Sequence, residues 1–125
     1  MKITQLDHLV LTVTNIEITA SFYQCTLSLE KQTFGEGRIA LKFGKQKINL
    51  HQAGKEFEPK AQVPTPGSAD LCFVTATPLA DAMRHVEACG VKIEAGPVDR
   101  TGAVGPMSSF YFRDPDMNLI EVCHY

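Results

Sequence analysis

The sequence predicts an α+β fold in which two tandem βαβββ modules form an open, cup-shaped mixed sheet. Three observations predict this fold. An apolar strand pattern followed by an amphipathic helix occurs twice, once from Leu6 and once from Ala69. Three short strand patterns follow each helix, with Gly or Asp-Pro turns between most of them. The two halves also align with one another, as an internal repeat requires.

Composition limits the classes of function. The chain has 125 residues, of which 44% are hydrophobic, and this suits a single domain over residues 1–125. The formal net charge is -2 and no run of Lys or Arg occurs, so we expect neither a nucleic-acid nor a membrane partner. No signal-peptide core or membrane-spanning apolar stretch is present. We therefore expect a cytoplasmic protein with a small-molecule substrate.

The first module is predicted at about residues 4–54. Leu6 to Val13 is a strand pattern, and Asn15 is a suitable N-cap for a helix that continues to about Ser28. Three further strands are expected at residues 31–34, 38–43 and 47–52, with glycine-containing turns between them. A connector rich in proline and charge follows at residues 55–68.

The second module is predicted at about residues 69–125. After a strand at residues 69–75, Thr77 is the expected N-cap and Pro78 the first helical residue. Gly90 is the expected end of this helix. Strands are expected at residues 91–94, 107–112 and 118–124, and a Gly/Pro-rich loop at residues 96–105.

The repeat pairs polar residues of the two halves. A shift of 62 positions (70 minus 8) aligns His8 with Asp70, and a shift of 72 (121 minus 49) aligns Asn49 with Glu121. A pseudo-twofold axis would therefore bring these four residues together on the concave face. Their apolar neighbours would point to the opposite face, under the helices.

His8, Asp70 and Glu121 form a set of side chains that can bind a divalent metal ion. One imidazole and two carboxylates suit Mn²⁺, Fe²⁺, Ni²⁺ or Mg²⁺, with Zn²⁺ also compatible. Without a cation, two carboxylates facing one another would repel, so one would have to be protonated or solvated. We therefore predict a divalent metal cofactor that leaves open positions for substrate.

Each ligand also has a simpler interpretation. A single histidine in an apolar strand is more often a hydrogen-bonded structural residue, and only the repeat favours a ligand role for His8. Asp70 could instead bind backbone N–H groups at the start of its strand. Glu121 is harder to explain in this way, because an acidic residue between Ile120 and Val122 needs a partner.

Three further residues are assigned to catalysis or substrate binding. His51 lies two residues after Asn49, hence on the same strand face, and is the candidate catalytic residue, as general base or fourth ligand. A solvent-exposed position at the rim is the alternative for His51. Asn49 and Arg100 are the candidate substrate-binding residues, Arg100 by binding an anionic group, although an exposed loop arginine is the simpler interpretation.

The motifs that carry these residues resemble the vicinal-oxygen-chelate superfamily of glyoxalases, bleomycin-resistance proteins and extradiol dioxygenases. The resemblance is carried by the segments at 6–13 (LDHLVLTV), 21–23 (SFY) and 112–122 (FRDPDMNLIEV). The segments 49–51, 54–61 and 96–102 resemble the subgroup of glyoxalase domain-containing protein 5 and of bacterial proteins labelled virulence proteins or biphenyl-2,3-diol dioxygenase-related.

The resemblance implies paired βαβββ modules, a homodimer, and a divalent metal that chelates two neighbouring substrate oxygens. His8 and Glu121 match ligand positions of the superfamily. Two departures matter: glyoxalase I enzymes carry a glutamate where this chain has Asn49, and extradiol dioxygenases and fosfomycin-resistance enzymes carry a histidine where it has Asp70. We expect a metal-dependent enzyme of dioxygenase or glyoxalase type, with a metal-free binding protein of the bleomycin-resistance type as the alternative.

Overall fold

The computed structural model describes all 125 residues, and the chain divides into two compact units, Met1–Pro66 and Gly67–Tyr125. Each unit contains one helix and one four-stranded mixed sheet. This confirms the predicted α+β class and the two tandem modules, each of which has its own open sheet. No helix has the length and apolar character needed to span a membrane.

The first module follows the predicted order of strand, helix and three strands. Its elements are β1 (His8–Val13), α1 (Ile16–Thr26), β2 (Glu30–Phe34), β3 (Arg38–Phe43) and β4 (Gln46–Gln52). The strand order is β1-β4-β3-β2, with β1 parallel to β4 and the other neighbours antiparallel. The first and last strands are therefore adjacent, which places β1 at one edge.

The second module repeats this topology. Its elements are β5 (Asp70–Val74), α2 (Leu79–Ala88), β6 (Ala95–Thr101), β7 (Pro106–Arg113) and β8 (Leu119–His124). The strand order is β5-β8-β7-β6, with β5 parallel to β8. The edge strand β5 thus corresponds to β1.

The two helix starts differ in how well the sequence predicts them. The Asn15 side chain accepts a hydrogen bond from Ile18 N at 3.0 Å, which confirms the predicted N-cap of α1. For α2 the prediction is wrong by one residue, because Pro78 occupies the N-cap position and makes no side-chain cap. Thr77 instead donates its backbone N–H to Thr75 Oγ1 at 3.1 Å.

Strand β6 lies where the sequence predicts a loop. The segment 91–94 is not a strand, and the Gly/Pro-rich segment beginning at Ala95 pairs with β7. A Cβ on Gly96 would lie 2.7 Å from Phe110 Cα, so only glycine allows the two strands to approach this closely. The pairing also shifts register between Ala95 and Val98. Here glycine and proline mark a bulge rather than a loop.

The core of each module lies on the apolar face of its sheet, as predicted. Ile48 and Leu50 of β4 are buried in the first module, where α1 packs on the sheet through Tyr23. Ile120 and Val122 of β8 are buried in the second. Because side chains alternate along a strand, Asn49 and Glu121 must point to the opposite face of their sheets.

A buried aspartate holds the turn between β7 and β8. Asp114 is 3% exposed, and its Oδ1 accepts the backbone N–H groups of Asp116 and Asn118, both at 2.9 Å. Its Oδ2 accepts from Asn118 Nδ2 at 2.8 Å, and Asn118 Oδ1 in turn accepts from Ala69 N at 2.8 Å. The turn thereby ties the start of β5 to β8, the strand that carries Glu121.

We predict that Asp114→Ala lowers the free energy of unfolding by about 3 kcal/mol, because it removes charge-assisted hydrogen bonds and leaves a buried amide donor unpaired. Chemical denaturation of the variant measures this loss. The control is Glu36→Gln, in the exposed turn between β2 and β3, which should change the value by less than about 0.5 kcal/mol. Equal effects of the two substitutions would contradict the role given to Asp114.

Candidate functional site

The strand registers confirm the predicted repeat residue by residue. His8 lies opposite Lys47 in the β1–β4 pair, and Asp70 lies opposite Leu119 in the β5–β8 pair. The first strands are thus offset by 62 positions (70 minus 8) and the last strands by 72 (119 minus 47), the shifts that align the two halves of the sequence. Val10 is the register partner of Asn49 on β4, and Cys72, at the equivalent position of the second module, is the register partner of Glu121 on β8.

His8 is an exposed histidine whose orientation is fixed by its neighbour. Its Nδ1 lies 2.8 Å from Asp7 Oδ2, and its side chain is 45% exposed. A neutral ring that donates its Nδ1–H to this carboxylate presents Nε2 to a metal, which is the arrangement typical of metal-binding histidines. His8 therefore has the partner that a ligand needs.

Glu121 is a half-buried acid with one unsatisfied oxygen. Its Oε1 is buried and has no hydrogen-bond partner. Its register neighbours are Cys72 on β5 and Tyr111 on β7. Burial of the Cys72 thiol, with Cys123 and Glu121 beside it, raises its pKa to about 12, so the neighbour on this side is a neutral thiol and not a cation. A buried carboxylate oxygen without a partner is costly, and a cation would offset that cost.

Asp70 is the exposed first residue of β5. Since Cys72 lies opposite Glu121 and Asp70 is two residues before Cys72, Asp70 and Glu121 share one face of the second sheet. No ion pair or side-chain hydrogen bond holds Asp70. Its carboxylate is available to a ligand.

Asn49 and His51 are two buried polar residues on one face of β4. They are 5% and 3% exposed, and Asn49 Oδ1 and His51 Nδ1 are both buried without a hydrogen-bond partner. Burial lowers the pKa of His51 below 6.5, the nearby Arg38 guanidinium lowers it further, and Glu56 opposes the shift. His51 is therefore neutral at physiological pH and does not occupy the solvent-exposed rim position considered as its alternative.

Arg38 of β3 is a site residue that no motif or alternation pattern of the sequence identifies. Its Nη2 lies 3.4 Å from His51 Nε2. The guanidinium carbon lies 4.9 Å from the centre of the Phe34 ring and 4.7 Å from that of Phe57. Phe57 also contacts the His51 ring edge-on, with ring centres 5.5 Å apart. Two aromatic rings thus hold a cation beside the buried histidine.

Arg100 lies on strand β6 and not on the predicted loop. Its Nε donates to the Tyr111 hydroxyl at 2.9 Å, and its Nη1 donates to Asp99 O at 3.0 Å. Burial raises the pKa of Tyr111, the bond from Arg100 opposes that shift, and Glu121 reinforces it. Arg100 is thereby connected to Glu121 through Tyr111, another residue that no sequence motif identifies. Only the β7–β8 register, which places Tyr111 opposite Glu121, identifies it.

The structure has no group of three or more His, Cys, Asp or Glu side chains arranged to hold a metal ion. It places His8 in the first module, and Asp70 and Glu121 on one face of the second. Imidazole and carboxylate are nevertheless the donors that hard and borderline divalent ions take. The donor types are therefore chemically compatible with such an ion, and the three ligands stay a prediction.

We predict that His51 makes the stability of the protein depend on pH. Because the folded-state pKa is below the unfolded value of 6.5, the unfolded chain binds more protons between those two values. The contribution of neutral, buried His51 to the free energy of unfolding is therefore fully present above pH 6.5, and it is lost as the pH falls through the folded-state pKa. Denaturant titrations between about pH 7 and pH 5 should show a shallower decrease for His51→Asn than for the wild type. Equal slopes for the two proteins would contradict the shift.

Comparison with known proteins identifies the family of this chain. The model of the Glyoxalase/Bleomycin resistance protein/Dioxygenase superfamily matches residues 5–122. Glyoxalase domain-containing protein RDO1 of Mycosarcoma maydis is 55% identical over the whole chain, which covers 70% of that protein. Virulence protein STM3117 of Salmonella typhimurium is also 55% identical over the whole chain, which covers 87% of it. An integron cassette protein of V. cholerae superposes with a TM-score of 0.98 at 65% identity, covering 100% of this chain and 98% of that one.

More distant solved structures share the fold alone. The antibiotic-binding protein TnmS3 of a Streptomyces species is 20% identical with a TM-score of 0.77, covering 99% of this chain and 98% of its own. A mutant of the fosfomycin resistance protein FosX of Listeria monocytogenes, complexed with Mn(II) and 1S,2S-dihydroxypropylphosphonic acid, is 20% identical with a TM-score of 0.65. The match covers 97% of this chain and 90% of the FosX chain.

The family match spans nearly the whole chain, and the repeated βαβββ topology agrees with it. This confirms the resemblance seen in the sequence motifs. The chain belongs to the glyoxalase/bleomycin resistance protein/dioxygenase superfamily.

Proposed function

We propose that this protein is a divalent-metal-dependent enzyme, of dioxygenase or glyoxalase type, that acts on a small substrate with two adjacent oxygens. The unpartnered, buried oxygen of Glu121 is the observation that carries the proposal. A carboxylate in an apolar strand with one buried oxygen that lacks a hydrogen-bond partner is stabilised when a cation binds that oxygen.

His8, Asp70 and Glu121 are the proposed ligands. The Asp7 carboxylate fixes the His8 ring, and Asp70 adds a second negative charge on the same sheet face as Glu121. When bound, a divalent ion supplies positive charge that stabilises negative charge on substrate oxygens. Fe, Mn, Ni, Zn and Mg are all compatible with one imidazole and two carboxylates.

His51, Asn49 and Arg100 are the proposed groups that act on the substrate. His51 is the proposed catalytic residue, because its ring is buried and neutral and has one nitrogen without a partner. Asn49 Oδ1, on the same face, would accept a hydrogen bond from a substrate hydroxyl. Arg100 would bind an anionic part of the substrate from the side of Tyr111.

The distant relatives support this substrate class. FosX binds Mn(II) together with a dihydroxypropylphosphonic acid, a compound with hydroxyl groups on neighbouring carbons. We extend that combination of a divalent ion and adjacent oxygens to this chain. We also propose a homodimer. The edge strands β1 and β5 leave Val10 44% and Val74 67% exposed, and a partner subunit would cover these apolar side chains and the unpaired strand edges.

The alternative is a metal-free protein that binds and sequesters a small molecule. TnmS3, an antibiotic-binding protein, has the same fold. Two positions favour this alternative: Asn49 stands where glyoxalase I enzymes carry a glutamate, and Asp70 where extradiol dioxygenases carry a histidine. A protein that has lost ligands would retain the binding face without the ion.

We predict that untagged protein purified without chelators contains close to one equivalent of a divalent metal per chain. Elemental analysis measures it. Glu121→Gln and His8→Ala should each lower metal affinity by at least about tenfold, because a ligand is removed. The matched controls Glu87→Gln and His85→Ala, on exposed positions of α2, should retain the metal. Metal-free wild-type protein that also takes up no added ion would support the sequestering alternative.

The class of reaction is separated by assay of the metal-loaded protein. Oxygen consumption with catechols indicates a dioxygenase, whereas turnover of a hemithioacetal indicates a glyoxalase. Glu121→Gln should abolish whichever activity is present and Glu87→Gln should leave it unchanged. Activity that survives Glu121→Gln would contradict the ligand role of Glu121.

A further inference from the structure

We propose that His51 donates a hydrogen bond to an anionic oxygen of the substrate, and that Arg38 positions His51 for this by holding the ring in the Nδ1–H tautomer. The inference deepens the proposed function by naming an oxyanion as the group bound on this face, and it rests on that function only in placing the substrate there. It replaces the general-base role that strand position alone suggests for His51.

The tautomer follows from the chemistry of the two side chains. A guanidinium is always protonated and can only donate hydrogen bonds. Its Nη2, 3.4 Å from His51 Nε2, is therefore in a favourable contact only if that nitrogen accepts. A neutral imidazole carries one hydrogen, which must then be on Nδ1.

The aromatic rings keep Arg38 in this position. The guanidinium lies against Phe34 and Phe57, and it forms no ion pair with any carboxylate. Stacked guanidinium groups keep their edge N–H groups available in the plane. Arg38 therefore directs its donor at Nε2 instead of being drawn to an acidic side chain.

The resulting Nδ1–H has no acceptor in the protein. His51 is 3% exposed, and Nδ1 is buried without a hydrogen-bond partner. Buried N–H donors in native proteins nearly always have a partner, so this unpaired donor is available to an acceptor oxygen of a bound ligand. The acceptor must be small enough to reach it beside Phe57, which is itself 45% exposed.

The charge of Arg38 selects the kind of acceptor. A cation that donates to Nε2 withdraws electron density from the ring and makes Nδ1–H a stronger donor. Such a donor favours an oxygen that carries negative charge, because charge-assisted hydrogen bonds are roughly twice as strong as neutral ones. A carboxylate or enolate oxygen meets this requirement, and a preorganised donor of this kind also stabilises charge that develops during a reaction.

The tautomer is tested directly by ¹⁵N NMR of metal-free protein labelled at histidine. The wild type should show a protonated Nδ1 and an unprotonated Nε2 for His51 at neutral pH. Arg38→Met keeps the length of the side chain but removes the donor, so the Nε2–H form should appear. An Nε2–H tautomer or an imidazolium in the wild type would overturn the proposal.

The oxyanion is tested with acetate, and with acetamide as its neutral counterpart of the same shape. Acetate should shift the His51 Nδ1–H signal in a saturable way, and acetamide should not. In His51→Asn the amide nitrogen lies near the position of Nδ1, whereas in His51→Gln it lies near that of Nε2. His51→Asn should therefore retain acetate binding within about threefold, and His51→Gln should weaken it by about tenfold or more.

Equal affinity for acetate and acetamide, or retained binding in His51→Gln but not in His51→Asn, would overturn the proposal. Circular dichroism confirms that each variant is folded before binding is compared. None of these measurements requires a metal ion, so their failure is distinguishable from failure of the metal-dependent function.

Discussion

In each module the last strand lies parallel to the first, and this pairing decides where the polar residues of interest lie. In a parallel pair, register partners lie side by side with their side chains on the same face of the sheet. This holds for β1 with β4 and for β5 with β8. Apolar residues of the terminal strands, such as Ile48 and Ile120, are thereby committed to the buried helix-packing face. Asn49 and Glu121 are committed to the opposite face for the same reason. A slip of one residue would exchange the two sets.

This arrangement explains why buried polar atoms lie on these faces. The apolar neighbours of Asn49 and Glu121 stabilise the sheet on its other side, so the polar residues stay in place although their own interactions are incomplete. Asn49 Oδ1, His51 Nδ1 and Glu121 Oε1 are three of the four buried side-chain atoms without a hydrogen-bond partner. Native proteins tolerate such atoms chiefly at functional sites. Ser109 Oγ, the fourth, has no assigned role.

The sequence predicts the fold well because two signals, the alternation of apolar and polar residues and the internal repeat, are both present along the first and last strands of each module. It fails at β6, where glycine and proline occupy a bulge whose close approach to Phe110 depends on tertiary pairing. The alternation of side chains along a strand is enough to place His51 on the same face of β4 as Asn49. Arg38 and Tyr111 are missed because their roles depend on which strand lies beside β4 and β8, and alternation carries no information about the order of strands in a sheet.

The two modules carry different functional groups at equivalent positions of the repeat. His51 and Cys123 occupy the same place in the repeat, as do Asn49 and Glu121. The first module thus supplies a neutral donor and an amide, and the second a carboxylate beside the Cys72 thiol, whose pKa is raised.

The proposed metal site is tested by anomalous scattering from a crystal soaked in Mn²⁺. We expect one strong anomalous peak per chain, with His8 Nε2 and Glu121 Oε1 each within about 2.3 Å of the ion. We further expect that the peak is lost in Glu121→Gln. A crystal without a peak at these two atoms, or with Glu121 Oε1 bonded to a protein donor instead, would contradict the proposed metal site.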